Sequence, residues 1–399
     1  MTRRALTRSR LGFSLVALVA LACVAISAAA FASPSHDAAR GKQAHHNHHH
    51  HRSAKAKTPS SFFGVVPQDH LTPTDYETMG DNGAKILRIG LYWTAIEPTE
   101  DGGYDFSDFD DTVRQAAENG LTVLPDLYGT PEWVAKGLDD HDGCASQCHL
   151  YAPTSPAALA AWKNFNSAAA ARYGRNGTFW SEQANAGVPK KPIKTWQIWN
   201  EQNSKTFYLP KPNPKPYAKL LASSAKGIRA EDSKADIVLG GMFGLPGKND
   251  TSRSIAAADF LHKLLKIKGA KQNFDGFALH PYSKGLDFVK KQVTVARAEM
   301  RKSGYPGAEL WITETGAASG GEPSGLNLGS QKAQAQRVTD TYKLFERNRK
   351  AWNVKLVAWF AWQDVTEDKS NCFFCPKAGL VTTSGKAKLS LKAYKRAAK

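Results

Sequence analysis

Residues 193–201 of the chain read IKTWQIWNE, a mainly apolar and aromatic run that ends in an asparagine and a glutamate. A short run of this composition is typical of a strand that is buried on both faces of a parallel sheet. Residues 310–314, LWITE, have the same form and also end in a glutamate. The two runs therefore predict two buried parallel strands, each followed at once by a carboxylate.

Runs of this type recur along the chain and alternate with helical patterns. The strand candidates lie at 62–66, 86–91, 121–125, 193–199, 237–241, 274–279, 310–313 and 356–360. The helix candidates lie at 108–119, 156–173, 216–231, 256–266, 286–302 and 331–348. Such alternation indicates an α/β fold with crossover helices, and eight strands favour a single closed (β/α)8 TIM barrel over an open sheet. No glycine-rich fingerprint follows the first strand, which argues against a dinucleotide-binding fold.

The N-terminal residues do not share this pattern. Residues 1–32 combine a basic beginning, an apolar stretch and an Ala-Phe-Ala sequence, which predict a cleaved secretory signal peptide. An uncleaved membrane anchor is the alternative. Residues 33–60 contain a histidine tract and little from which a core could form, so we interpret them as a disordered His-rich linker, although the tract could bind metal. The folded domain is expected at 61–399, in a protein that is secreted or associated with the cell envelope.

The formal net charge of the chain is +17. Its lysines and arginines are scattered and do not form a motif typical of a nucleic-acid-binding module, so no nucleic-acid partner is expected. Attraction to an anionic cell wall or an acidic polysaccharide is a hypothesis that this charge permits. We expect a monomer that needs no cofactor and no metal.

Four of the five cysteines form two close pairs, and the fifth, Cys23, lies in the predicted signal peptide. The paired residues are Cys144, Cys148, Cys372 and Cys375. In an exported protein an even number of cysteines favours disulfides, so we predict two local disulfide bridges, each of which cross-links a loop. The alternative is a zinc site, with His149 as a further ligand, if the two loops meet.

The residues that follow the strands are the candidates for function, because active sites in this fold lie at the carboxyl ends of the strands. Glu201 and Glu314 end the fourth and seventh strands, where burial would raise the pKa of a carboxyl group. Cleavage of a glycosidic bond needs such a pair, one acid and one carboxylate opposite it. Candidate substrate-binding residues are Arg88, Trp93, Tyr128, Trp133, Asn200, His280, Tyr282, Trp359 and Trp362. Taken singly, each could be an ion-pair partner or a core residue, and their convergence on one face of the barrel favours a site.

Several of these motifs resemble those of a known group of enzymes. Residues 196–203, WQIWNEQN, resemble the acid/base motif of clan A glycoside hydrolases, in which an Asn-Glu pair ends strand four. Residues 311–314, WITE, resemble the nucleophile strand of that clan, and residues 280–282, HPY, resemble its strand-six motif. Arg88 matches an arginine often found on strand two, and residues 129–133, GTPEW, resemble a loop of family 39-like enzymes. The resemblance covers nearly the whole predicted domain in order.

The resemblance implies a retaining mechanism on β-type linkages of a polysaccharide or oligosaccharide. Glu201 would be the general acid and then the general base, and Glu314 would be the nucleophile. Asn200 would hold the sugar 2-hydroxyl and Tyr282 would hydrogen-bond Glu314. The resemblance further implies that an aromatic residue near the end of strand eight forms the floor of the subsite next to the cut; the two candidates are Trp359 and Trp362.

Two positions depart from the pattern of the clan. Its cellulase-like members often carry a histidine at the end of strand three, where this chain has Leu127 and Tyr128, which argues against plain cellulase activity. Gln202 replaces the proline most common after the acid/base glutamate, a variant that family 39-like sequences tolerate. The alternative function is a non-catalytic carbohydrate-binding barrel at the cell surface, and the presence of both glutamates argues against it.

Overall fold

The computed structural model describes residues 58–136, 144–244, 253–369 and 372–399. The predicted signal peptide at 1–32 and nearly all of the predicted linker at 33–60 lie outside these residues. Within the described ranges, no helix combines the length and the apolar character that crossing a membrane would require.

Eight parallel strands form a closed barrel in chain order. They are β1 (Phe63–Val66), β2 (Ile86–Tyr92), β3 (Thr122–Tyr128), β4 (Thr195–Ile198), β5 (Asp236–Phe243), β6 (Gly276–His280), β7 (Glu309–Thr315) and β8 (Val354–Phe360). The barrel closes where β1 pairs with β8, with Val65 opposite Trp359. The predicted (β/α)8 fold is therefore confirmed.

Helices surround the barrel. They are α1 (Pro73–Asp81), α2 (Trp93–Ile96), α3 (Ser107–Glu118), α4 (Glu132–Ala135), α5 (Pro156–Tyr173), α6 (Pro214–Glu231), α7 (Ala257–Leu265), α8 (Leu286–Lys302), α9 (Gln331–Trp352) and α10 (Leu389–Ala397). The start of α5 follows directly from its sequence, because Ser155 caps the helix through the N–H of Ala158 and Pro156 occupies the first position. The sequence did not predict α1, although a capping box between Thr72 and Asp75 stabilises its first turn.

Side chains along each strand alternate between the barrel interior and the layer under the helices. On β8, Leu356, Ala358 and Phe360 pack inside the barrel with residues of β1 and β3. Val357 and Trp359 belong instead to the larger core between the barrel and the helices. This alternation determines which of the aromatic residues near the strand ends can reach a substrate.

Both predicted disulfides are present, each in a loop at the carboxyl end of the strands. One joins Cys144 to Cys148 after α4, and the other joins Cys372 to Cys375 after β8. Because each pair closes on itself, the four sulfurs do not converge on one zinc ion.

Candidate active site

The main chain bends sharply after β4 and turns the Glu201 side chain into the end of the barrel. Trp199 and Glu201 have φ values of 71° and 40°, a region that is costly for residues other than glycine. Hydrogen bonds hold the bend: the N–H of Trp199 donates to the Leu127 carbonyl at 2.9 Å, and that of Glu201 donates to the Gly241 carbonyl at 3.0 Å. The indole of Trp199 also donates to the Phe207 carbonyl at 2.7 Å. Glu201 is left only 2% exposed.

The carboxyl group of Glu201 contacts a neutral partner. Nδ1 of His280 lies 2.8 Å from its Oε1, and Nε2 of the same ring lies 3.0 Å from Oγ1 of Thr313. Burial and the nearby Arg88 charge lower the pKa of His280 well below its usual value, so the ring is uncharged. Within the described parts of the chain, no lysine or arginine lies within ion-pair distance of Glu201. Burial and the charge of Glu314 accordingly raise the pKa of Glu201 well above its usual value.

The Glu314 side chain enters the same end of the barrel from β7. The pairing of β7 with β8 shifts register between Ile312 and Thr315, an irregularity that can redirect a side chain. Arg88 Nη1 lies 2.7 Å from one Glu314 oxygen, and the Tyr282 hydroxyl donates to the other at 2.9 Å. Burial raises the pKa of Glu314, while the Arg88 charge and the Tyr282 hydrogen bond oppose that rise. The pKa of Glu314 remains raised, but less than that of Glu201, so Glu314 is the carboxyl group of the pair that ionises more readily.

Arg88 connects the strand ends to one another. Its Nε donates to Gln197 Oε1 at 2.7 Å and its Nη2 donates to Asn200 Oδ1 at 2.8 Å. Asp126 Oδ2 lies 3.6 Å from Nη2. The planar guanidinium thus fixes the amide orientation of Asn200, whose NH2 group is the end that remains for a ligand.

The two candidate catalytic carboxyl groups lie close together. Ligand atoms of Glu201, His280 and Glu314 all lie within 4.8 Å of one another. Three such groups could in principle hold a cation, but the guanidinium of Arg88 already occupies the Glu314 carboxylate and would repel one. The arrangement suits a chemistry that passes a proton through one carboxyl group and uses the other as an anion.

The structure brings together six of the sequence-predicted residues at this end of the barrel: Arg88, Asn200, Glu201, His280, Tyr282 and Glu314. Tyr128 lies beside them, with its ring edge-to-face on Trp199 at 4.6 Å. Trp133 is half-buried in α4, which follows β3, and its indole donates to the Glu97 carbonyl at 3.1 Å.

Three predicted tryptophans do not lie in the site. Trp93 is fully buried, stacks on Phe165 at 5.7 Å and donates its indole N–H to Glu97. Trp359 points into the layer under the helices, since strand alternation places Phe360 and not Trp359 on the inner face of β8. Trp362 is fully buried as well, and its indole donates to Asp75 of α1 at 2.8 Å. These packing partners place the three indoles in the core, and they give no support to the predicted contact with substrate.

Two aromatic residues that the sequence analysis did not select line the site instead. Phe360 ends β8 with its ring 6.3 Å from that of Tyr282. Tyr92 ends β2 and folds back over Gly90, where a Cβ would lie only 2.5 Å from its ring carbon Cζ. Side chains alternate along a strand, so an inward-facing Phe360 at the end of β8 requires Trp359 to face outward. Counting alternate residues from the strand end could therefore have identified Phe360.

Two family profiles match the sequence, one in each half of the barrel. Residues 66–213, which include Glu201, match a family described as β-galactosidase. Residues 239–394, which include Glu314, match a family described as the glycosyl hydrolase catalytic core. Both halves of the barrel therefore resemble glycoside hydrolase domains. No curated protein shows significant sequence similarity to it.

Solved structures with the same fold include three glycoside hydrolases. A family 39 glycoside hydrolase from the gut symbiont Bacteroides cellulosilyticus WH2 has 18% identity and a TM-score of 0.61, with 85% of this chain and 63% of that chain covered. A monomeric β-xylosidase from Caulobacter crescentus CB15 has 18% identity and a TM-score of 0.58, with 84% and 67% covered. A β-galactosidase from the psychrophilic Marinomonas ef1 has 16% identity and a TM-score of 0.56, with 84% and 58% covered. This chain therefore shares their barrel, while it spans less than two thirds of the first and third of these proteins.

Proposed function

We propose that this glycoside hydrolase cleaves β-glycosidic bonds of a polysaccharide or oligosaccharide with retention of anomeric configuration. The observation that carries the proposal is the short gap between the Glu201 and Glu314 oxygens, at most 4.8 Å. Retaining enzymes hold their two carboxyl groups about 5 Å apart, whereas inverting enzymes leave a gap of about 6.5–9.5 Å for a water molecule.

In the first step, the Glu314 carboxylate attacks the anomeric carbon while Glu201 donates its proton to the departing glycosidic oxygen. The bond to the leaving group breaks and a glycosyl ester with Glu314 forms. The partners of each residue suit its role, because Arg88 and Tyr282 keep Glu314 ionised and oriented. Burial beside a neutral histidine keeps Glu201 protonated until the leaving oxygen needs its proton.

In the second step, the now ionised Glu201 removes a proton from water, and the resulting hydroxide equivalent attacks the anomeric carbon. The ester bond to Glu314 breaks, and the sugar leaves with its original configuration. The Asn200 amide, held by Arg88, is placed to bind the sugar 2-hydroxyl in both steps. Phe360 takes the place that the sequence analysis gave to Trp359 or Trp362 as the aromatic surface below the reacting sugar.

Xylosides and galactosides are the first substrates to test. The proposal rests here on similarity, since one matching profile describes β-galactosidase and one similar structure is a β-xylosidase. The two disulfides suit an oxidising compartment, and we infer that residues 1–32 direct export of the protein. We further infer that the enzyme is a monomer and that its positive charge favours association with an anionic cell wall.

The test is turnover of aryl β-glycosides and natural polysaccharides by the wild type, Glu201→Gln and Glu314→Gln. We expect at least one substrate to be cleaved and both variants to lose several orders of magnitude in rate. Proton NMR of the first-formed sugar should show the β anomer. A first product of α configuration would overturn retention, and equal, negligible turnover of all three proteins with retained polysaccharide binding would favour a carbohydrate-binding barrel.

A further inference from the structure

A cavity of about 380 Å3 lies beside the candidate active site, between the loop that follows β7 and the loop that follows β8. Its lining includes Gly321 and Asn327 from the first loop, and Phe373, Phe374 and Lys377 from the second. This volume is in the range of pockets that bind small organic ligands. The mechanism proposed above does not use this cavity.

One buried ring, that of Phe374, lies between the cavity and the catalytic centre. Phe374 lines the cavity, and its ring centroid lies 5.4 Å from that of Tyr282 and 6.2 Å from that of Phe360. Tyr282 in turn donates a hydrogen bond to Glu314. The cavity therefore lies on the Glu314 side of the centre, and the described residues of the loops after β3 and β4 do not line it.

Main-chain hydrogen bonds and a disulfide hold the two walls of the cavity together. The N–H of Ser319 donates to the Lys377 carbonyl at 2.9 Å. The buried side chain of Gln334 donates to the carbonyls of Ala317 at 2.9 Å and Ala378 at 3.0 Å, one in each loop. The Cys372–Cys375 bridge closes the turn that carries both phenylalanines. The cavity is thus preformed, which lowers the entropic cost of binding.

Phe373 gives the cavity an exposed aromatic surface. It is 47% exposed and packs edge-on against Phe374 at 5.5 Å. It also lies close to Gly325, where a Cβ would come within 3.4 Å of its ring carbon Cζ. The Asn327 amide and the Lys377 ammonium group provide polar partners nearby. A flat apolar ring beside a few polar groups matches a sugar, which has an apolar C–H face and hydroxyl groups at its edge.

We propose that this cavity binds a second sugar unit on the glycone side of the bond that is cut, with Phe373 as its platform. The proposal rests on the retaining function proposed above. Glu201 protonates the leaving oxygen, so the leaving group lies on the Glu201 side of the centre. The sugar that bonds to Glu314 lies on the opposite side of the cut bond. A further sugar unit attached to the non-reducing end of that sugar extends towards Tyr282 and Phe374. The substrate is therefore a chain with at least two units on the glycone side.

The experiment compares substrates that share a leaving group and differ by one glycone unit. These are 4-nitrophenyl β-xyloside with β-xylobioside, and the corresponding glucose and galactose pairs. We expect the wild type to prefer one bioside by about tenfold or more in kcat/KM, and Phe373→Ala to lower kcat/KM on that bioside by about three- to tenfold. Turnover of the matching monosaccharide substrate by Phe373→Ala should stay unchanged.

The matched control is Phe288→Ala, which removes a comparably exposed phenylalanine from α8, outside the cavity. It should leave both rates and their ratio unchanged. Wild-type turnover of monosaccharide and disaccharide substrates with equal efficiency, or an unchanged ratio in Phe373→Ala, overturns the cavity proposal and leaves the retaining hydrolase in place. Absence of wild-type turnover on every pair and on the natural polysaccharides overturns the proposed function and the cavity proposal with it.

Discussion

The ends of β4 and β7 carry the same residue type in opposite electrostatic surroundings. At the end of β4, Glu201 contacts an uncharged histidine, and its pKa is raised well above the usual value. At the end of β7, Glu314 accepts hydrogen bonds from Arg88 and Tyr282, which oppose the effect of burial on its pKa. Two buried glutamates, with one oxygen of each within 4.8 Å of the other, thus acquire different acidities from their partners and not from their own chemistry.

The largest effect is expected where the ionised member of the pair is removed. Glu314→Gln removes the charge that attacks the anomeric carbon, and we expect kcat/KM to fall by about 10^5-fold, equivalent to about 7 kcal/mol of transition-state stabilisation. Steady-state kinetics on an activated aryl glycoside measures this loss. The control is Glu309→Gln, which removes a half-buried carboxylate at the opposite end of β7. A loss as small as that of the control would show that Glu314 is not the nucleophile.

Removal of the protonated member should have an effect that depends on the leaving group. Glu201→Ala lacks the general acid, whose contribution is about 10^2–10^4-fold. We expect a loss of this size for glycosides with poor leaving groups and a much smaller loss in glycosylation for 2,4-dinitrophenyl glycosides, which need no proton. Added azide should accelerate the variant and yield a β-glycosyl azide. Equal losses for all leaving groups would contradict the assignment of Glu201 as the acid.

A smaller effect is expected from weakening one partner of Glu314. Tyr282→Phe removes a hydrogen bond that lowers the pKa of Glu314, so that pKa should rise. The acidic limb of the kcat/KM profile reports the ionisation of the nucleophile, and it should therefore move to higher pH. One hydrogen bond to a charged group is worth about 1.5–3 kcal/mol, so the maximal rate should also fall by about ten- to a hundredfold. An acidic limb that stays in place or moves to lower pH would argue against this partnership.

The smallest catalytic effect is expected at a strand end that faces away from the pair. Trp362→Phe removes an indole that packs in the outer core and bonds to Asp75, so it should lower the free energy of unfolding by about 1–3 kcal/mol. Its kcat/KM at a temperature well below Tm should equal that of the wild type. Thermal unfolding and kinetics on the same preparation separate the two quantities. A tenfold rise in KM at unchanged Tm would return Trp362 to the substrate-binding residues.

The sequence predicted the barrel well because buried parallel strands produce contiguous apolar runs that alternate with helices. It also predicted the residues that directly follow β4, β6 and β7, because the fold brings those positions to one place. It could not tell that Trp93, Trp359 and Trp362 pack in the core, since tryptophan is as suited to a large core as to a sugar platform, and composition does not tell which way a side chain points. It also could not anticipate the irregular pairing of β7 with β8 that redirects Glu314, because register belongs to two strands at once.

The closure of the barrel has a consequence for how the chain is made. β1 completes its hydrogen bonding only when β8 arrives, and the hydroxyl of Tyr394 in α10 donates to the Gly64 carbonyl at 3.2 Å, across 330 positions of sequence. A ribosome adds about 5–20 residues per second, so about 20–70 s pass between the synthesis of the first strand and the synthesis of these partners. Throughout that interval one edge of β1 stays open to strands of other nascent chains. An early strand of this barrel is therefore exposed to aggregation until its partners have been synthesised.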